Sequence, residues 1–137
     1  MIVIDASALT KYILHEEDWE RISAFIKKRR PLYSVDHIVK EVGNAIWRHC
    51  WLREVIDKTK AIKLYQAFLE LINTGVIIIE PEVNYVQTAL QIALEHGITL
   101  YDSLYIAQAQ KHGELLTSDR RQAKVATELG IKIHLIV

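Results

Sequence analysis

Five short apolar runs, separated by longer segments with helical spacing, set the limits on how this chain can fold. They are Ile2–Ile4, Leu32–Val35, Val76–Ile79, Leu115–Thr117 and Ile131–Ile136. A strand that is apolar without alternation needs cover on both faces, as inside a parallel sheet sandwiched between helices. The intervening segments supply those helices. Glu16 to Arg30 carries Trp19, Ile22, Ser23 and Ile26 at three- and four-residue steps, the mark of an amphipathic helix. Further helices are expected over Ala6–Leu14, from Asp36 as N-cap to about Leu52, and over Asp57–Asn73 with a C-cap at Gly75. Three more run over Glu82–His96, Tyr101–His112 and Asp119–Leu129, each followed by a glycine. The expected fold is a single α/β domain over residues 1–137, a parallel sheet with helices on both sides.

In sheets of this type ligands bind beyond the carboxyl ends of the strands, at a topological switch point. Asp5 and Asp119 stand there, just past the first and fourth runs. Two other acids sit in otherwise apolar helical segments. Glu41 lies on the flank of the stripe Ile38, Val42, Ala45 and His49, with Asn44 and Arg48 on the same side. Asp102 is the one charge between Leu100 and Ala109.

Each acid has an ordinary explanation. Asp5 either caps the following helix or, with Ser7 as cap, is free to bind a ligand. Glu41 either pairs with Arg48 or stands at a metal, with Asn44 holding it and Arg48 near a phosphate. Asp102 caps its helix unless Thr99 does, in which case it is a buried carboxylate in need of a partner. Asp119 either forms a capping box with Gln122 or binds a cation.

Electrostatics favour the joint reading. Two carboxylates ~5 Å apart repel by about 3 kcal/mol at an effective dielectric near ~20. Four around one pocket would raise one another's pKa values or demand a cation, and oxygen-only ligands suit Mg²⁺ or Mn²⁺. Such an ion lowers the pKa of bound water and holds a phosphate oxygen, which is the chemistry of phosphodiester hydrolysis.

Composition enters as a limit on the alternatives. Half of the residues are hydrophobic and 25% charged, a globular balance. The formal net charge is zero, so any affinity for nucleic acid must be local. Lys27–Arg30, Lys58–Lys63 and Arg120, Arg121 and Lys124 are either solvated faces or backbone contacts. A single cysteine, Cys50, excludes an intrachain disulfide or a cysteine-based zinc site and is expected in the core. Neither a leader nor a run of ~20 apolar residues is present, so a cytoplasmic protein with no membrane contact is expected. No H-x-x-x-H pair, G-x-S-x-G, G-x-G-x-x-G or P-loop competes with the acids.

The segments Val3–Ser7, Glu41–Ala45, Tyr101–Tyr105 and Leu116–Asp119 resemble, in order and spacing, the signatures of PIN-domain ribonucleases. The length is similar to that of the VapC toxins of type II toxin–antitoxin pairs. The resemblance spans the chain and implies a three-layer α/β/α sandwich around a five-stranded parallel sheet in order 3-2-1-4-5. It further implies Asp5 and Asp102 as principal metal ligands, with Glu41 and Asp119 completing the cluster. Ser7, Asn44 and Thr117 match its supporting polar residues, and Arg48, Arg120 and Arg121 are candidate phosphate contacts. RNA is then the substrate, Mg²⁺ or Mn²⁺ the cofactor, and a VapB-like antitoxin the inhibitor. Trp47 and Trp51, one turn apart and opposite the Ile38 stripe, are either a second packing surface or an interface for the antitoxin or for another copy in a homodimer. Two other readings stay open: an aspartyl-phosphate phosphotransferase acting through Asp5, and a PIN-like module that binds without cutting.

Overall fold

The computed structural model describes all 137 residues of the chain. The sheet comprises β1 (Ile2–Ile4), β2 (Leu32–Val35), β3 (Ile77–Glu80), β4 (Glu114–Thr117) and β5 (Lys132–Leu135). The helices are α1 (Ala6–Ile13), α2 (Trp19–Arg29), α3 (His37–Trp47), α4 (Lys58–Asn73), α5 (Val86–His96), α6 (Leu100–His112) and α7 (Arg120–Glu128). All strand pairs are parallel, in the order β3-β2-β1-β4-β5 that the resemblance implied. β1 is central and fully buried, and Val3 faces Tyr33 on one side and Leu115 on the other.

Right-handed crossovers decide the layers. Steps from β1 to β2 and from β2 to β3 run one way, so α1 to α4 gather on one face. The return from β3 to β4 and on to β5 runs the other way, placing α5, α6 and α7 opposite. The packing follows this division: α1 meets α2, α3 and α4, while α6 meets α5 and α7. The direction reverses between β1 and β4, which makes their carboxyl ends the switch point.

Four expectations need correction. The third run is apolar throughout but forms an edge strand, shifted by one residue to Ile77–Glu80, and leaves Ile78 36% exposed. Asp36 does not cap α3: its own backbone is helical, and its Oδ1 accepts the Glu82 N–H (2.9 Å), tying α3 to the segment after β3. The α-helix stops at Trp47 and continues as a π-helical turn over Arg48–Leu52, with Arg53 N–H bonded to the Arg48 carbonyl. This turn leaves His49 and Cys50 only partly buried, so Cys50 is not a core residue.

α6 has no polar face to speak of, because every residue from Ser103 to Ala109 is buried between the sheet and α5. Its start is fixed by Thr99, whose hydroxyl accepts the Asp102 N–H (3.1 Å). Gly97 (φ +69°) and Gly113 (φ +102°) end α5 and α6 in the left-handed conformation, where a side chain would be strained. No helix is long and apolar enough to cross a membrane.

Candidate active site

Asp5 follows β1 and is completely buried. Its Oδ1 accepts the Ala8 N–H (3.0 Å) and the Ser7 hydroxyl (2.7 Å), and its Oδ2 accepts the Thr117 hydroxyl. Asp5, not Ser7, is therefore the cap of α1. Ser7 instead donates to Asp5 and accepts the Ser118 N–H (2.9 Å), stitching β1 to the end of β4. Burial pushes the Asp5 carboxyl up to about 6 even though Thr117, Ser7 and Ala8 pull it down, and the charge of Asp119 adds to the rise. The Thr117 hydroxyl that donates to Asp5 also accepts the Asp119 N–H (3.0 Å).

Asp119 caps α7 through Oδ1, accepting from Arg121 N (2.8 Å) and Gln122 N (3.2 Å). The expected capping box is incomplete, since the Asp119 N–H goes to Thr117 rather than to the Gln122 side chain. Asp102 is relieved of capping by Thr99. Burial raises its carboxyl above the ordinary value; Gln122 and Thr99 oppose the rise and Asp119 reinforces it.

Glu41 is held from two sides. The Tyr105 hydroxyl donates to its Oε1 (2.7 Å), and His37 Nε2 lies 3.2 Å from the same oxygen, at ion-pair distance but not aligned as a hydrogen bond. Burial raises the Glu41 carboxyl, Tyr105, His37 and Arg48 lower it, and Asp102 raises it further. Asn44 does not hold Glu41: it is exposed and lines an adjoining hollow. The support comes from Tyr105, a fully buried residue 64 positions away whose phenol is driven far upward by burial and then by Glu41, and so stays protonated as a donor.

These residues meet in one cleft of about 380 Å³ above the β1–β4 junction. Glu41, Asp102 and Asp119 line it with Ser7 and Ser118, and Asp5 lies beneath. Glu16, in the connection between α1 and α2, adds a fifth acid. Lys11 and Arg48 are the basic residues in the lining. Arg120 is exposed on α7 outside the cleft lining, and Arg121 donates to the Gly97 carbonyl (2.7 Å) beside a separate hollow with His96 and Lys124.

The donor set suits a hard divalent cation. Buried Ser118 Oγ and Gln122 Oε1, both belonging to residues of the lining, have no partner in the chain. Burial holds the carboxyls of Asp5, Glu41 and Asp102 above their ordinary values and a neighbouring carboxylate adds to each rise, a cost that a bound cation would offset. No three of the acids are gathered around one point as a preformed cage. Glu41, Asp102 and Asp119 stand along the cleft wall, and Asp5 lies beneath it with both oxygens already engaged.

Tyr105, Glu16 and Gln122 were not singled out as site residues from sequence. Tyr105 carried a usable signal, lying three residues after Asp102 and hence on the same side of α6. Trp47 and Trp51 are 48% and 62% exposed, so they do not form a packing surface within the domain. Trp47 borders an apolar groove of about 540 Å³ between α3 and α4, with Ile46, Cys50, Ile62 and Tyr65.

A polar cleft at the switch point of this sheet, walled by acids from four separate chain segments, defines a class. The PIN-domain model matches residues 2–128, and the chain belongs to the PIN-domain family. Among individual proteins it is similar to "Ribonuclease VapC3" of Pyrobaculum aerophilum, 32% identical over 90% of this chain and 92% of that one. It is also similar to "Exonuclease VapC9" of the same organism, 27% identical over 98% and 92% of the two chains. The crystal structure of PAE2754 from P. aerophilum superposes with a TM-score of 0.68 at 26% identity, covering 96% of this chain and 87% of that one.

Proposed function

We propose that this chain is a divalent-cation-dependent ribonuclease that cuts RNA internally and is held in check by an antitoxin protein. The observation that carries the reading is the convergence of Asp5, Glu41, Asp102 and Asp119 on one solvent-open cleft. The name of the relative VapC3 supports RNA as the substrate.

Asp102 and Asp119 would hold Mg²⁺ or Mn²⁺ directly and Glu41 through a water, while Asp5, expected as a principal ligand, is buried beneath them with both oxygens hydrogen-bonded and would act as a fixed negative charge. When bound, that ion supplies a water of lowered pKa and a positive centre for a phosphate oxygen. The chain's own contribution is orientation. Thr99 takes over the capping of α6 and leaves the Asp102 carboxylate to the cleft. Tyr105 fixes Glu41 through Oε1, which leaves Oε2 to accept a proton from the attacking water. Arg48 and Lys11 attract the RNA backbone at the cleft mouth, with Arg120 further out. Attack by water leaves 5′-phosphate and 3′-hydroxyl ends.

The exposed tryptophans Trp47 and Trp51 and the α3–α4 groove suit an amphipathic antitoxin segment or a second copy of the chain in a homodimer. An arginine on such a segment could enter the acidic cleft and replace the cation's charge. The phosphotransferase reading loses support, because a phosphoryl acceptor needs a free oxygen and Asp5 is buried with both oxygens hydrogen-bonded. A second reading, a module that binds without cutting, is favoured by the lack of a preformed cation cage.

A circular single-stranded RNA separates these readings and resolves internal from terminal attack. Linearisation in Mn²⁺, blocked by chelator and by Asp102→Asn, is the expected result. Circles that survive while linear RNA is shortened would make the enzyme an exonuclease. Survival of both would leave only the binding module.

A further inference from the structure

We propose that Tyr101 is a stacking platform for an unpaired base of the RNA, beside the bond that is cut; this rests on the ribonuclease reading above. Tyr101 is the residue before Asp102, in the first turn of α6, and is 58% exposed. A lone exposed aromatic ring is unremarkable on a protein surface. This one is braced. Its ring lies on the imidazole of His37, with centroids 4.6 Å apart and planes 16° from parallel. His37 is itself buried at the start of α3 and lies 3.2 Å from Glu41. The platform is therefore anchored to the same helix that carries a cleft carboxylate.

What surrounds the ring is suited to a nucleotide. Tyr101 and His37 line a hollow of about 320 Å³ together with Lys40, Glu41, Asn44 and Arg48. Glu41 and Arg48 also line the acid cleft, so the two spaces share a wall. Lys40 and Arg48 offer positive charge for a phosphate. Asn44, exposed and without a hydrogen bond to Glu41, offers an amide donor and acceptor for a base edge. Aromatic faces accept any base, and stacking of this kind is lost about 10- to 100-fold on truncation to alanine. Bases inside a duplex are already stacked on their neighbours, so the platform selects loops and single strands.

The test uses the full chain and a short single-stranded RNA with an abasic site placed in turn on either side of the cut bond. Tyr101→Phe should retain cleavage, whereas Tyr101→Ala should lose about 10- to 100-fold in kcat/KM, mostly through KM, with an unchanged melting temperature. One abasic position should weaken the wild type by the same factor and leave Tyr101→Ala no worse, since the ring and the base act as one unit. A second readout does not require cleavage: 2-aminopurine at that position should be quenched on binding to Asp102→Asn but not to Asp102→Asn/Tyr101→Ala. Cleavage by Tyr101→Ala within twofold of wild type, with quenching unchanged, would overturn the platform and leave the ribonuclease reading standing. Tyr101-dependent quenching by a wild type that cuts no RNA would keep the platform and overturn the ribonuclease reading. Absence of both would overturn the two together.

Discussion

Tyr105 of α6 donates its phenolic hydrogen to Glu41 Oε1 of α3 at 2.7 Å, joining the helical layers on opposite sides of the sheet behind the cleft wall. Burial already holds Glu41 above its ordinary proton affinity, and the Tyr105 bond pulls it back. Tyr105→Phe removes that bond while keeping the ring. Stability should fall by about 1–2 kcal/mol in urea unfolding. If Glu41 accepts the proton as proposed, its ionised form is the active one, and the acid limb of the pH–rate profile should move to higher pH. A limb that stays in place would remove Glu41 from the proton transfer.

Asp5 should make the metal-free protein less stable as pH rises. Its folded value of about 6 lies above the ordinary 3.8, so the native state binds the proton more tightly than the unfolded chain does. The associated stabilisation, about 3 kcal/mol, is present in full below the ordinary value and lost as pH rises through about 6. In chelator, Asp5→Asn should melt higher than wild type at about pH 8, and the gap should close towards about pH 4. Equal melting curves across that range would mean that Asp5 carries no strained charge.

Divalent cation should reverse that penalty. Mn²⁺ at a hundredfold excess over its dissociation constant stabilises the folded chain by about 2.7 kcal/mol, read as a rise in melting temperature. The rise should be lost in Asp102→Asn, together with at least about 100-fold of RNA cleavage, while circular dichroism stays that of the wild type. Cleavage surviving in Asp102→Asn would remove the carboxylate from the site.

Glu80 anchors a polar cluster outside the cleft. Its Oε1 accepts from His112 Nε2 (2.6 Å), Tyr85 Oη (2.8 Å) and Gln108 Nε2 (2.9 Å). Burial would raise this carboxyl, but hydrogen bonds from Gln108, His112 and Tyr85 outweigh it and the net direction is down. Its stabilisation is thus present above the ordinary carboxylate range and lost as pH falls through the lowered value. Glu80→Ala strands the buried Gln108 and His112 groups and should cost about 2–3 kcal/mol. Cleavage measured below the lowered melting temperature should be unchanged, because Glu80 does not line the cleft.

Trp47 and Trp51 should matter for assembly rather than folding. Replacing both exposed indoles by serine should shift stability by less than about 1 kcal/mol. Sedimentation should show the wild type at twice the mass of the chain and the double variant at its single mass. Identical masses would leave the indoles to the antitoxin, whose affinity for the double variant could then be measured directly.

Burial on both faces leaves an unbroken apolar run, and burial on one face leaves a three- and four-residue rhythm. The order of strands and helices was therefore legible along the chain, with strand ends off by a residue, as at Ile77–Glu80, and some helix ends off by a turn or more, as where α3 stops at Trp47 and α5 starts at Val86. The positions of Asp5 and Asp119 beyond strand ends were legible for the same reason. The division of labour among caps was not: Thr99 relieves Asp102, whereas Ser7 does not relieve Asp5. That choice depends on local backbone angles which several residue types satisfy equally well.

What the sequence by itself determined was the alternation, the sheet it requires, and the acids near its carboxyl edge. Only the tertiary structure decided that Tyr105 rather than Asn44 holds Glu41, that Tyr101 lies on His37, and that Glu80 gathers three donors. Apart from Tyr85 and Glu80, these partners are tens of residues apart in the chain. Crossover handedness and strand register bring them together, and neither leaves a mark in any short stretch of sequence.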